Sequence, residues 1–314
     1  MTPKAVPARD ELAPVVTSVL EVVGNTVMVS LGAEPGCAEI RLKVEGDNPS
    51  GSIKDRAVLA MISDAEARGV LTADKPIVEA SSGNTATALA VIGPAKGHKV
   101  VVVAPSDMPD VRKANLETLG VELVLTDPSE RMSGAIAHAD RLARDGAFVL
   151  RQFANPAAVR AHRATAEELW EQCDGHVDAF VAGVGTGATI SGCADVLKSK
   201  DPSCVVVAVE PAESPVLSGG KPGPHRIPGI GPGFVPTLLR RELVDEVYPV
   251  PWWEAHEAVR ELGREFGLFF GPSTGAVLIA ARAQARRLGP GRVVVGIAAD
   301  WGERNVGVLI EPVG

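Results

Sequence analysis

Short runs rich in β-branched residues recur along the chain, with helical stretches among them: Val100–Ala104 (VVVVA), Val121–Thr126, Ala179–Ala182, Val205–Val209 and Val293–Ala298. Most are continuously apolar rather than alternating, the pattern of strands covered on both faces in a mainly parallel sheet. The stretches Ala57–Arg68, Val111–Leu119 and Ala255–Glu265 carry charges three and four residues apart, as surface helices do. Strand–helix alternation over the whole length predicts an α/β doubly wound architecture. At 314 residues and 46% hydrophobic content, the chain can build one large or two linked domains with a sizeable core. No linker separates independent units, and no period of roughly 20–50 residues indicates a solenoid.

A formal net charge of −8 without a basic run disfavours nucleic acid or an anionic membrane as partner. The four cysteines, Cys37, Cys173, Cys193 and Cys204, form no C-x-x-C pair and read as thiols in a reducing compartment. No histidine spacing suggests a metal, and His98, His138, His176 and His256 are expected at the surface. The N-terminal stretch Met1–Val16 has no apolar core of signal-peptide length, and Ala179–Ala194 is broken by Gly and Thr. The expectation is a soluble, cytoplasmic protein.

Three Gly-containing segments stand where a strand hands over to a helix. Glu79–Thr85 (EASSGNT) offers Ser81, Ser82, Asn84 and Thr85 around a close-approach Gly83, which suits a carboxylate or simply a capped helix start. Gly183–Thr189 (GVGTGAT) suits a phosphate. It also satisfies the G-x-G-x-x-G/A dinucleotide pattern, with Glu210 about 20 residues on as a ribose-binding acid. Gly271–Gly275 (GPSTG) can hold a polar atom or only cap. The Pro/Gly-dense Ser218–Pro236 is too long for an ordinary turn, and such loops are usually functional.

Glu45–Arg56 (EGDNPSGSIKDR) places Lys54 between the strand Ile40–Val44 and a helix starting near Asp55. A lysine at such a junction can face a cleft. A nucleophilic role requires a lowered pKa or capture as a Schiff base, whereas an exposed structural lysine needs neither.

Taken together, Gly24-Asn25-Thr26, Asn48–Arg56 (NPSGSIKDR), Ser81–Thr85, Gln152–Pro156 (QFANP), Gly185–Thr189, the Gly223–Pro236 loop and Gly271–Gly275 make the chain resemble a known family. It is similar, from about Ser18 to Glu311, to the cysteine synthase (O-acetylserine sulfhydrylase) and cystathionine β-synthase group of pyridoxal-phosphate enzymes. The Lys54 region and Asp300–Arg304 (DWGER) are most similar to the isozyme B type.

The resemblance implies a two-domain fold type II enzyme, tryptophan synthase β-like, each domain an open mainly parallel sheet flanked by helices. Residues 1–48 and 160–314 would form the larger domain, which binds the cofactor. Residues 49–159 would form a smaller mobile domain. It further implies pyridoxal 5'-phosphate as cofactor, bound by Lys54 as a Schiff base, Asn84 at the ring hydroxyl, Gly185, Thr186, Gly187, Ala188 and Thr189 at the phosphate, and Ser273 at the ring nitrogen. Lys54 would also be the catalytic base. Ser81, Ser82, Gly83, Thr85 and Gln152 would bind the substrate carboxylate.

The implied activity is β-replacement on an activated serine, O-acetylserine or O-phosphoserine, through an α-aminoacrylate, with sulfide or thiosulfate as acceptor. A specialised synthase of the cystathionine, 2,3-diaminopropionate or O-ureidoserine type would look nearly the same. An NAD-binding oxidoreductase is the distant alternative, and it leaves Lys54, Asn84 and Gln152 without a shared purpose. A homodimer is implied as well; a serine acetyltransferase partner is left open.

Departures from the family pattern are Val27 for proline, Ser81 for threonine, Ala86 and Ala188 for glycines, a shortened Thr165-Ala166-Glu167, Pro272 and Thr274 around Ser273, and Asn305 for tyrosine. Ala188 implies a backbone position that does not require positive φ. Arg226 is the expected cation for a phosphoserine leaving group. His225 closes over the substrate or orders its loop, and Trp252 and Trp253 are expected to pack.

Overall fold

The computed structural model describes residues 15–309; the N-terminal stretch up to residue 14 and the end of the resemblance at Glu311 lie outside them. In chain order the elements are β1 (Met28–Ala33), β2 (Glu39–Val44), α1 (Lys54–Ala67), β3 (Ile77–Ala80), α2 (Asn84–Ala95), β4 (Val100–Pro105), α3 (Asp110–Thr118), β5 (Glu122–Thr126), α4 (Arg131–Arg144) and β6 (Phe148–Val149). There follow α5 (Ala157–Gln172), β7 (Ala179–Gly183), α6 (Ala188–Lys200), β8 (Val205–Pro211), β9 (Glu246–Val250), α7 (Trp252–Phe266), α8 (Pro272–Leu288) and β10 (Val293–Ala298).

Two sheets result. The six-stranded one runs β1-β2-β10-β7-β8-β9 and the four-stranded one β5-β4-β3-β6. Every pairing is parallel except β1 with β2. Successive side chains on a strand point to opposite faces, so each apolar run serves two layers at once. In the larger sheet Ala179, Val181, Val207, Val209 and Val294 pack under α7 and α8. The intervening Phe180, Ala182, Val206, Ala208 and Val295 pack against residues of α5 and α6. In the smaller sheet Ile77, Val100 and Val102 meet α1 and α2, while Val78, Val101 and Val103 meet α4.

A buried ionic cluster ties the N-terminal turn to α1. Arg56 bonds Glu45 at 2.6 Å and Glu168 at 2.6 Å, and Lys43 Nζ lies 2.8 Å from Glu168. Gly24 and Asn25, both at positive φ, donate backbone N–H groups to Asn48 Oδ1 and Glu168 Oε1. Breaking such a buried pair strands its partner's charge, so α1 is anchored two residues beyond Lys54. No helix among the described residues is long and apolar enough to cross a membrane.

Candidate active site

The crevice beyond the carboxyl ends of parallel strands is where α/β sheets place ligands, and here both sheets feed the same one. The glycine loop after β7 has one residue in the left-handed region, Gly187 at φ +82, which caps α6. A Cβ there would lie 2.8 Å from Leu239 N, and a Cβ at Gly185 would collide with the Gly229 carbonyl. Ala188 is the first residue of α6, so its methyl is accommodated in a right-handed position. The loop runs into a helix start, with the Thr186 and Thr189 hydroxyls beside it and Thr186 Oγ1 accepting from Ala188 N at 3.3 Å.

Behind this loop sits His162, on α5. Its Nε2 is 3.2 Å from Thr189 Oγ1 and its Nδ1 is 3.2 Å from Thr165 Oγ1. Burial, with the charges of Arg56 and Lys54, lowers its pKa to about 3, so the imidazole is neutral and orients Thr189 without adding charge. No sequence motif marks His162 as part of the site.

Lys54 opens α1 and lines the same chamber as Asn84, Gly185, Thr186, Gly187, Thr189 and Ser273. Burial lowers its amine pKa, while the Asp300 carboxylate pulls the other way. Ser273 is buried in the first turn of α8, just past the cap Gly271.

An adjoining chamber of about 320 Å³ shares Lys54 and Asn84 and adds Ser81, Ser82, Gly83, Thr85 and Gln152. The β3–α2 loop supplies the start of a helix again, with Gly83 as its cap. Thr85 Oγ1 donates to Gln152 Oε1 at 2.6 Å. Glu79, buried at the end of β3, accepts the backbone N–H of Arg151 at 2.9 Å and so holds the turn that presents Gln152. Burial pushes the Glu79 pKa up to about 7 against those hydrogen bonds. All the site residues named from the sequence therefore line one of two communicating chambers, except Ala188, whose buried methyl sits behind the glycine loop.

Two wall residues were not singled out from the sequence. Asp300 accepts from Asn84 Nδ2 at 2.7 Å and from Asn305 Nδ2 at 3.2 Å. Arg112 donates to the carbonyls of Ser82 at 2.9 Å and Arg304 at 3.2 Å. Nothing local could have revealed them, because their partners lie up to 216 positions away.

Other expectations need correction. Arg226 is not among the lining residues; its guanidinium lies 4.9 Å from the Trp252 ring centroid, a cation–π arrangement. The loop instead contributes Pro228, Gly229, Ile230 and Pro232. His225 orders its own loop, its Nε2 donating to Gly231 O and its Nδ1 accepting from Ile227 N. Trp252 packs as expected, whereas Trp253 is 45% exposed. His98 and His256 are buried rather than superficial, paired with Glu66 and with the Arg226 carbonyl. Glu210 is committed to Leu217 N, Ser218 N and Ser218 Oγ, which removes the ribose-binding acid of the dinucleotide alternative.

The comparisons with known proteins agree with one another. The model of a family described as pyridoxal-phosphate dependent enzyme matches residues 19–299. A cysteine synthase of Staphylococcus aureus is 43% identical over 294 residues, covering 92% of this chain and 95% of that protein. The solved cysteine synthase of Entamoeba histolytica superposes with a TM-score of 0.93 at 35% identity, covering all of this chain and 96% of that one. An O-ureido-L-serine synthase superposes at 0.91, with 35% identity and coverages of 96% and 97%. On that match over most of its length, the chain belongs to the pyridoxal-phosphate dependent enzymes, in their fold type II arrangement.

Proposed function

We propose that this protein is a cysteine synthase that exchanges the β-substituent of an activated serine, O-acetylserine or O-phosphoserine, for sulfide or thiosulfate. One observation carries the reading: the buried amine of Lys54, a glycine cradle at a helix start and a hydroxyl-rich carboxylate loop line two chambers that share walls.

The residues present fit the family's cofactor. The cradle has glycine where a side chain would collide, and its donors are the types that hold a phosphate. Gly185, Thr186, Gly187, Ala188 and Thr189 would hold that phosphate, Asn84 the ring hydroxyl, and Ser273 would face the ring nitrogen. When bound, pyridoxal phosphate supplies the electron sink that lets the Cα–H and Cβ–O bonds break.

The protein's own residues do the rest. Ser81, Ser82, Gly83, Thr85 and Gln152 bind the substrate carboxylate and so fix the Cα–H bond relative to Lys54. The Lys54 amine, its pKa lowered by burial, accepts the Cα proton as the β-oxygen leaves with its electron pair. Sulfide then adds at Cβ, and Lys54 returns the proton to Cα. A neutral hydroxyl at Ser273 does not demand a protonated ring nitrogen, which suits elimination over a long-lived carbanion. Residues 49–159 would move as a unit against residues 1–48 and 160–314, closing on the bound carboxylate to exclude water. The working form is a cytoplasmic homodimer.

A second reading, a specialised β-substituting synthase, draws on Ser81 and Asn305, which line the substrate chamber and depart from the family pattern. Visible absorption of the purified protein during titration tests both. A change with O-acetylserine or O-phosphoserine that sulfide reverses supports cysteine synthase and names the donor. A change that only an amine, a hydroxyurea-like compound or homocysteine reverses supports the second reading. No chromophore after reconstitution with pyridoxal phosphate overturns both.

A further inference from the structure

Among the described residues that line the two chambers, Asp300 is the one carboxylate. A negative charge is out of place in a site built to bind a carboxylate substrate, unless that charge is turned to another task. Its atoms show the task. Oδ2 receives the amide nitrogens of Asn84 and Asn305, while Oδ1 is buried without a hydrogen-bond partner in the space that a Gly271 side chain would fill. The group is 6% exposed; burial raises its pKa, while the hydrogen bonds from Asn84 and Asn305 and the charges of Arg304 and Arg112 pull it back.

An asparagine amide can present either its nitrogen or its oxygen, and its neighbours decide which. Asp300 Oδ2 accepts from two amides at once, so Asn84 turns its Nδ2 toward Asp300. Asn84 opens α2 beside the smaller sheet, whereas Asp300 follows β10 of the larger sheet, so the bond also spans the crevice. Asn305 braces the same oxygen from the C-terminal side.

We propose that Asp300 is a positioning residue that fixes the orientation of the Asn84 amide and thereby the cofactor-facing surface of the β3–α2 loop. The inference rests on the cofactor reading above and adds to it a residue that acts through Asn84.

The test is a double-mutant cycle read as pyridoxal phosphate affinity, by spectral titration of the full-length apoprotein. Asp300→Ala and Asn84→Ala are each expected to weaken binding by about tenfold, and the double variant by no more than Asn84→Ala alone. Asp300→Asn, which keeps the shape but can donate, is expected to weaken binding and to shift the absorption maximum of the bound cofactor. Effects that multiply in the double variant, or Asp300 variants that bind and absorb like wild type, overturn the proposal. Thermal denaturation of each apoprotein identifies a variant that has simply unfolded, in which case Asp300→Asn carries the test. A wild-type apoprotein that takes up no pyridoxal phosphate refutes the cofactor reading instead.

Discussion

Thr85 and Gln152, 67 positions apart, meet through a 2.6 Å hydrogen bond from the Thr85 hydroxyl to Gln152 Oε1. That bond fixes which way the Gln152 amide faces and so holds the wall of the substrate chamber. Thr85→Val keeps the size and removes the donor. We expect KM for the activated serine to rise about 5- to 50-fold with a smaller change in kcat, the scale of one buried hydrogen bond. Steady-state kinetics decide it; a fall confined to kcat would assign the pair to another step.

Lys54→Ala should abolish β-replacement, with a loss of at least about 10³-fold. Its stability should be close to wild type, because Lys54 forms no salt bridge among the described residues. Mass spectrometry after borohydride reduction provides the complementary measurement, with the cofactor mass on the wild-type Lys54 peptide. Substantial turnover by a verified variant would falsify the assignment.

Gly185→Ala should weaken the cofactor rather than the fold of the sheet. The added methyl meets the Gly229 carbonyl, so either the glycine cradle or the Pro228–Ile230 loop must shift. Overpacking of this kind costs about 1–3 kcal/mol, or roughly 5- to 150-fold in affinity if it falls on binding. Equilibrium titration with pyridoxal phosphate measures it, and unchanged affinity would mean that the loop yields freely.

Glu79 makes stability depend on pH with a definite sign. Its folded pKa of about 7 exceeds the ordinary 4.5, so the native state keeps a proton that the unfolded chain has released between those values. This contribution is fully present below about pH 4.5, falls as pH rises through 7 and is flat beyond. Glu79→Gln mimics the protonated form, so its stability relative to wild type should be higher at pH 8 than at pH 5, by at most a few kcal/mol at ~1.4 kcal/mol per pKa unit. Urea denaturation at the two pH values tests this, and an identical difference at both would show that Glu79 does not titrate there.

The strands legible in the sequence are those buried on both faces, such as Val205–Pro211 and Val293–Ala298. β1 escaped because it is the half-exposed antiparallel edge, and β6 because two residues carry no periodicity. The glycine motifs marked the loops that line the two chambers, since each reflects a local backbone requirement that sequence records directly. Long-range pairings left no such mark. Asp300 with Asn84, and Arg112 with Ser82 and Arg304, become visible only when two sheets converge. Arg226 shows the converse error: a cation in a functional loop lies over an aromatic ring on α7 and lines neither chamber.

The strand order also dictates when the molecule can become complete during synthesis. All four strands of the smaller sheet lie between Ile77 and Thr126 or at Phe148–Val149, so that sheet can pair while the rest of the chain is still emerging. In the larger sheet β10 lies between β2 and β7. A nascent chain must therefore hold two hydrophobic strand edges unpaired until residue 298 has left the ribosome, the interval in which a chaperone or a wrong partner can reach them.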